Sequence, residues 1–185
     1  RYKRYESHAD RLLIFTVDAA GSAALARLAE AKGAVELLLA EADARRDHVA
    51  LISFRGTEAE TLLPPTRSLV QTKRRLAELP GGGGTPLASG LTAALETARM
   101  SQRKGMDPVV IVLTDGRSNV SLDGTADRIA AAADAEHLAQ QIAREGIEAI
   151  VVDTSRRPEP QLCKLAQTAR ARYVSLPRAA AQSLS

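Results

Sequence analysis

The stretch LLIFTV at residues 12–17, followed by Asp18, decides how this chain folds. It is a continuous apolar run of strand length, which is typical of a strand buried on both faces of a parallel sheet. A second run of the same kind, VVIVLT at residues 109–114, is followed by Asp115. Because the carboxyl ends of parallel strands line one edge of an open sheet, the two aspartates are predicted to lie at the same edge.

Similar apolar runs continue along the chain and alternate with segments of helical spacing. The predicted strands are 11–18, 48–54, 109–114, 149–153 and 172–176, and the predicted helices are 23–44, 69–79, 86–103, 126–145 and 159–169. This alternation predicts a doubly wound α/β fold, with a mostly parallel central sheet and helices on both faces. Residues 61–63 end at Pro64 and Pro65, so they are predicted to form one short antiparallel edge strand beside 48–54.

Length and composition narrow the class of protein. A chain of 185 residues that is 45% hydrophobic is long enough for one domain with a full core, predicted to span 11–185. Residues 1–10 are interpreted as an N-terminal extension or a linker remnant, because the chain begins with RYKRY and without an initiator Met, as a fragment would. The chain has no apolar run long enough for a membrane span, no apolar signal region and one cysteine, Cys163, so we expect a cytoplasmic protein.

Charge and aromatic content argue against a nucleic-acid partner. The net charge is only +3, and aromatic residues make up 3% of the chain, so few rings are available for base stacking. Short basic clusters at 45–46, 73–75 and 156–157 are interpreted as solvated faces, with contact to an acidic partner as the alternative. The three histidines share no ligand spacing, so neither a zinc site nor a catalytic triad is predicted.

Four oxygen-bearing side chains from remote segments are the candidate metal ligands: Asp18, Ser22, Thr85 and Asp115. Two carboxylates that lie close together repel each other unless a proton or a cation intervenes. Carboxylates and hydroxyls are the hard ligands that suit Mg²⁺, with Mn²⁺ as a laboratory substitute. A site with so few protein ligands would keep an open position for a carboxylate from another protein.

The same residues resemble the metal-ion-dependent adhesion site of von Willebrand factor A domains, also called integrin I domains. That motif reads Asp-x-Ser-x-Ser, followed by a Thr and a later Asp, and Asp18, Ser22, Thr85 and Asp115 match it. Ala20 stands where the motif has its first serine. The lost hydroxyl is expected to weaken cation binding by about 1 kcal/mol if water replaces it, so cation occupancy is left open.

A narrower resemblance is carried by four segments, at 55–57, 63–68, 81–88 and 114–119. Together they are similar to the C-terminal domain of magnesium chelatase D subunits. The resemblance implies a parent with an ATPase module, acting with an ATPase subunit and a porphyrin-binding subunit. Such complexes insert Mg²⁺ into protoporphyrin IX with ATP, toward chlorophyll or bacteriochlorophyll. For this chain the resemblance implies docking to those subunits or to the parent's own ATPase module, and not catalysis.

Residues beside the predicted cation site are candidates for partner contact: Arg55, Arg117 and Asn119. Arg117 could contact an acidic partner, neutralise the aspartate pair when no metal is bound, or be an ordinary loop arginine. Ser22 could serve mainly as a helix N-cap. The glycine run 81–84 lacks the Lys-Ser/Thr ending of a phosphate-binding loop, and could instead let Thr85 approach the site.

Two other functions stay open at this point. A metal-dependent phosphohydrolase would use Asp18 as nucleophile, but that chemistry commonly needs a second acid at the position that Ala20 occupies. A structural assembly domain with a vestigial metal site is the other alternative, and Ala20 favours it.

Overall fold

A computed structural model of the chain describes residues 10–21, 26, 29 and 32–176, without the side chains of 32–34. Within these residues one sheet has six strands in the order β3-β2-β1-β4-β5-β6. The strands are β1 Arg11–Asp18, β2 His48–Arg55, β3 Glu58–Thr66, β4 Asp107–Thr114, β5 Glu148–Asp153 and β6 Arg172–Ser175. β2 and β3 pair antiparallel, and every other pair is parallel. The two runs that end in aspartates are neighbours, with Val17 opposite Leu113.

The helices of the described residues follow the predicted alternation. They are α1 Lys32–Ala44, α2 Leu69–Ala77, α3 Leu87–Arg103, α4 Arg128–Arg144 and α5 Pro160–Ala169. Ser68 caps α2 by accepting a hydrogen bond from the Gln71 N–H at 3.2 Å, as the sequence predicted. Asp127 and Glu159 cap α4 and α5 in the same way. Most of the first part of the predicted helix 23–44 lies outside the described residues.

Alternate residues of the central strands face two separate cores. Leu12, Ile14 and Val110 pack on one face with apolar residues of α3 and α4. Leu13 and Phe15 pack on the other face with apolar residues of α1 and α2. Because successive side chains of a strand point to opposite faces, one apolar run supplies both cores. The predicted doubly wound α/β fold is confirmed.

The edge strand β3 is longer than predicted. The sequence predicted a short strand that ends at Pro64, whereas β3 has nine residues and continues to Thr66. Its pairing with β2 shifts register between Val49 and Ile52. An edge strand has only one neighbour, so a proline without an N–H is tolerated on its open side or at such an irregularity. The prediction that Pro64 and Pro65 end the strand was therefore wrong.

Both ends of the chain lie mostly outside the residues that the structure describes. The predicted extension, 1–10, lies outside the described residues except for Asp10, whose carbonyl accepts a hydrogen bond from the Asp107 N–H at 2.8 Å. Residues 177–185 also lie outside them. Among the helices of the described residues, none combines the length and the apolarity that crossing a lipid bilayer requires.

Candidate functional site

Asp18 and Asp115 lie at the carboxyl ends of two adjacent parallel strands. Asp18 is the last residue of β1, and Asp115 directly follows β4. Both carboxylates are largely shielded from solvent, since Asp18 is 7% exposed and the Asp115 side chain is 12% exposed. The two aspartates therefore share one edge of the sheet, as their positions in the sequence predicted.

Asp18 is held in place by donors from two segments. Its Oδ2 accepts a hydrogen bond from the Thr114 hydroxyl at 2.9 Å, and its Oδ1 accepts one from the Ala20 N–H at 2.9 Å. Thr114 Oγ1 also accepts a hydrogen bond from the Gly116 N–H at 3.1 Å. No role was predicted for Thr114 from the sequence. Its signal was present, however: a hydroxyl at the end of a buried strand, directly before an acidic residue.

The glycine run 81–84 packs against backbone on two sides. The Gly82 N–H donates to the Ala19 carbonyl at 3.0 Å, and the Gly56 N–H donates to the Gly84 carbonyl at 3.0 Å. A Cβ on Gly84 would lie 2.7 Å from the Val120 side chain and 3.0 Å from the Gly56 carbonyl. A side chain at residue 84 would therefore push the loop away, so glycine is needed there for close approach.

Thr85 is clamped by the loop that follows β4. Its N–H donates to the Asn119 Oδ1 at 2.8 Å, and its carbonyl accepts from the Asn119 N–H at 3.2 Å. Thr85 is only 5% exposed. Asn119 was predicted to contact a partner, but its side-chain oxygen here positions Thr85. The partner role of Asn119 stays a prediction.

Asp115 is oriented by its own loop. Its Oδ1 accepts a hydrogen bond from the Arg117 N–H at 3.0 Å, and its Oδ2 lies 3.6 Å from the Arg117 Nε. The Arg117 side chain is exposed, so this ion pair contributes little to folding stability. It does, however, place the positive charge of the guanidinium beside the Asp115 carboxylate.

Two predicted residues stand apart from this network. Ser22 lies outside the described residues. Arg55 is exposed at the end of β2, opposite Glu58 in the hairpin, and directly precedes the Gly56 that binds the glycine run. The structure thus places Arg55 near the rim of the same edge.

Comparison with known proteins agrees with this architecture. Residues 13–184 match the von Willebrand factor type A domain. The chain belongs to the von Willebrand factor type A (VWA) domain family. A crystal structure of the vWF domain of the type V pili tip protein Mfa5 from Porphyromonas gingivalis superposes with a TM-score of 0.73 at 14% identity, covering 95% of this chain and 93% of that one. At that identity the match supports the fold alone.

Two curated relatives are much more similar in sequence to this VWA domain. The magnesium-chelatase 60 kDa subunit of Cereibacter sphaeroides is 59% identical over 185 residues, all of this chain and 33% of the relative. The subunit of the same description from Rhodobacter capsulatus is 56% identical over 183 residues, 99% of this chain and 33% of the relative. The chain therefore spans about a third of the length of these relatives.

The VWA domain offers oxygen ligands for a hard cation. Asp18, Thr85 and Asp115 are a carboxylate, a hydroxyl and a carboxylate, which match the donor chemistry of Mg²⁺. No group of three or more His, Cys, Asp or Glu side chains within the described residues could hold a metal ion. A cation held by Asp18 and Asp115 would need hydroxyls and water to complete its shell. The metal-binding roles of these residues stay predictions.

A third acidic residue lies at the same edge of the VWA domain and was not singled out from the sequence. Asp153, the last residue of β5, is fully buried. It accepts hydrogen bonds from the N–H groups of Ser155 at 2.9 Å and Glu159 at 2.8 Å, and from the Tyr173 hydroxyl. Burial raises the pKa of Tyr173, and the hydrogen bond to Asp153 raises it further. Asp153 therefore fastens the start of α5 to β5 and β6.

Proposed function

We propose that this VWA domain is a protein-docking module of a magnesium chelatase subunit. Mg²⁺ held by Asp18, Thr85 and Asp115, with Ser22 as a further ligand, would bind a carboxylate of a partner subunit. In this proposal the parent takes part in the ATP-dependent insertion of Mg²⁺ into protoporphyrin IX, in the cytoplasm, during chlorophyll or bacteriochlorophyll synthesis. The inserted ion is the substrate of the whole complex and is distinct from the docking cation.

The observation that carries the docking site is that its three remote segments are directly hydrogen-bonded to one another. The Thr114 hydroxyl joins the end of β4 to Asp18, and Gly82 joins the glycine run to Ala19. Asn119 joins the loop after β4 to Thr85. Ligands fixed before a cation arrives lose less conformational freedom on binding, which favours affinity.

The residues around the candidate ligands have two kinds of role in this proposal, orientation of the ligands and contact with the partner. Thr114 and the Ala20 N–H orient the carboxylate of Asp18, and Asn119 holds Thr85 against the edge. Arg117, Arg55 and Asn119 line the approach and would contact the partner. When bound, the cation supplies a positive centre with a coordination position that a partner carboxylate can fill.

The identities of the partners are proposed from the relatives. Two similar proteins are named as magnesium-chelatase subunits, and a subunit by definition works with others. We expect the ATPase subunit, the porphyrin-binding subunit and the parent's own ATPase module to dock here. The domain itself is proposed to be non-catalytic, because Ala20 stands where a phosphohydrolase would need a second acid.

Isothermal titration calorimetry with Mg²⁺ and Mn²⁺ tests the cation site. The Asp115→Ala variant is expected to lose binding, while Ala20→Ser should tighten it about fivefold by restoring a hydroxyl ligand, a gain of about 1 kcal/mol. Asp43→Ala, an exposed acid on α1, is the matched control and should bind like the unchanged chain. Equal affinity in all four proteins would show that the cation does not bind at Asp115.

The second candidate function is a structural assembly domain whose metal site is vestigial, which the missing hydroxyl at Ala20 favours. Association of the full-length subunit with its chelatase partners, measured with and without EDTA, separates the two candidates. Docking through a cation predicts that EDTA and Asp115→Ala both weaken association. Unchanged association in both cases would favour the vestigial site.

A further inference from the structure

A second concave surface lies beside the candidate cation site, on the far side of the loop that follows β4. It is a cleft of about 770 Å³ between residues 116–119, the first two turns of α4 and the first turns of α5. The loop residues that border it include Arg117 and Asn119, which also contact Asp115 and Thr85. The cleft and the cation site therefore share one wall.

The cleft has an apolar floor and an exposed apolar rim residue. Leu87, Ala135 and Leu162 line it and are buried. Ile129 also lines it and is 86% exposed, more than any other large hydrophobic side chain that the structure describes. One exposed apolar residue is ordinary on a protein surface. An exposed isoleucine on the rim of an apolar cleft indicates a contact surface, because a partner side chain that enters the cleft would cover both Ile129 and the apolar floor.

Charge on the rim of the cleft is mostly positive. Arg117, Arg128 and Lys164 line it, against the single acid Glu136. Glu136 lies 3.3 Å from the Thr168 hydroxyl, which donates to it, so part of its acceptor capacity is used within the domain. A cleft with three cations and one carboxylate around an apolar floor is complementary to a segment that combines apolar and acidic side chains.

A second copy of this chain fits the cleft less well. The chain carries a net charge of +3, so two copies repel each other at a basic surface. The occupant favoured by the charges is therefore a different protein with an acidic surface segment.

We propose that this cleft binds an acidic, amphipathic segment of a partner protein, with an apolar side chain between the apolar floor and Ile129 and with carboxylates at Arg117, Arg128 and Lys164. The proposal rests on the docking role proposed above, but it does not require the cation. Because the two sites share the loop 116–119, one partner could occupy both.

Fluorescence anisotropy on the 185-residue chain tests the cleft. The probe is a fluorescein-labelled peptide with two Leu-Glu-Asp-Leu repeats joined by Gly-Ser, and the comparison peptide has lysine in place of each acid. Titrations are run in EDTA and in Mg²⁺. The acidic peptide is expected to bind in EDTA, and the basic peptide is not.

Matched variants locate the binding. Arg128→Glu combined with Lys164→Glu should lower affinity about tenfold or more, whereas Arg45→Glu with Lys73→Glu, an equal charge change at exposed residues outside the cleft, should lower it much less. Ile129→Ser should weaken binding about threefold, against little change for Met100→Ser, which is exposed and does not line the cleft. Circular dichroism checks that each variant is folded.

Four outcomes would overturn the proposal that the cleft binds an acidic partner segment. Two concern affinity: both charge-reversal pairs weaken peptide binding equally, or the basic peptide binds as tightly as the acidic one. The other two are that neither peptide binds, or that sedimentation shows a dimer which Ile129→Ser dissociates. If peptide binding disappears in EDTA and in Asp115→Ala but is unchanged in the cleft variants, the peptide binds at the cation site and the cleft is rejected as its binding site. Conversely, a chain that binds no Mg²⁺ but still binds the acidic peptide through Arg128 and Lys164 would reject the cation site and keep the cleft.

Discussion

The carboxyl end of β5 and the ends of β1 and β4 carry the same type of residue at the same edge of the sheet, yet they are built differently. Asp153 is fully buried and accepts hydrogen bonds from Ser155, Glu159 and Tyr173. The carboxylates of Asp18 and Asp115 keep some contact with solvent. Asp18 accepts from Ala20 and from Thr114 at the end of β4, and Asp115 accepts from Arg117, whereas Asp153 accepts from the loop that follows β5 and from β6.

This difference shows what separates a structural carboxylate from a candidate ligand. A buried carboxylate is stable only when donors compensate for its lost hydration, and Asp153 receives them from the loop that leads into α5 and from β6. Asp18 accepts hydrogen bonds from Thr114 and from the Ala20 N–H, and Asp115 accepts one from the Arg117 N–H, while both side chains keep partial exposure to solvent, as a candidate cation ligand requires. Residue type at a strand end does not distinguish the two cases, but the neighbours do.

The largest expected effect is a loss of folding stability when Asp153, at the end of β5, is replaced. Asp153→Ala would leave buried donors of Ser155, Glu159 and Tyr173 without their acceptor, so we expect a loss of about 3 kcal/mol in the free energy of unfolding. Urea denaturation measures it. Mg²⁺ affinity of the folded fraction should not change. If Asp153→Ala were as stable as Asp43→Ala, Asp153 would not be a structural carboxylate.

A somewhat smaller loss of folding stability is expected from a change in the packing next to the end of β2, close to Ala19. A Cβ on Gly90 in α3 would lie 2.5 Å from the buried ring of Phe54, whose carbonyl accepts a hydrogen bond from the Ala19 N–H. Gly90→Ala should therefore destabilise the domain by about 2 kcal/mol, although the same change within a helix is usually stabilising. Thermal unfolding, with Glu96→Ala on the same helix as control, checks this. A higher melting temperature for Gly90→Ala would contradict the close contact.

Thr114 contacts both Asp18 at the end of β1 and Thr154, the residue after Asp153, so Thr114→Val is expected to have an intermediate effect. Its hydroxyl donates to Asp18, and its carbonyl accepts from the Thr154 N–H at 2.9 Å beside Asp153. Valine keeps the shape and the backbone bond but removes the hydroxyl. We expect a loss of about 1 kcal/mol in stability and weaker Mg²⁺ binding in calorimetry. Thr114→Ser, which keeps the hydroxyl, should retain Mg²⁺ affinity, and a Mg²⁺ affinity equally low in both variants would argue against orientation of Asp18.

The smallest expected effect concerns Asp123, a carboxylate in the loop between β4 and α4. Hydrogen bonds from Ser121 and Thr125 lower the pKa of Asp123 to about 2. A depressed pKa means that the ionised carboxylate stabilises the folded loop above the ordinary pKa of an aspartate. This contribution should fade as the pH falls from about 4 to about 2. An NMR titration of the Asp123 carboxyl carbon measures it, and Asp123→Asn should remove the transition. A midpoint near pH 4 would show that these bonds do not form.

Much of the architecture follows from apolar periodicity. The runs at 12–17 and 109–114 are long enough only for strands, and the intervening helical segments require parallel crossovers. Ser68 was also recognisable as a helix cap, because a capping hydrogen bond joins residues only three positions apart. The length of β3 was not predictable, because proline tolerance depends on whether a strand has one neighbour or two, which is a property of the sheet.

The sequence predicted the residue types of the candidate site but not the hydrogen bonds that hold those residues in place. Asp18, Thr85 and Asp115 were recognisable as strand-end and loop oxygens, whereas the clamp of Asn119 on Thr85 joins residues 34 positions apart. No local pattern encodes such a pairing. Asp153 was overlooked because its donors become evident only once the loop before α5 closes over it.

The sequence by itself determined that two apolar runs would be buried strands and that their aspartates would share one edge of the sheet, because burial and strand length follow from residue type and spacing, whereas the pairing of these two strands as neighbours came from the structure. The tertiary structure alone decided which strand-end aspartate is enclosed by donors, that Thr114 joins both ends, and that a basic cleft lies behind the same loop. Those features depend on contacts between residues remote in the chain, and only the folded backbone brings such residues within hydrogen-bond distance.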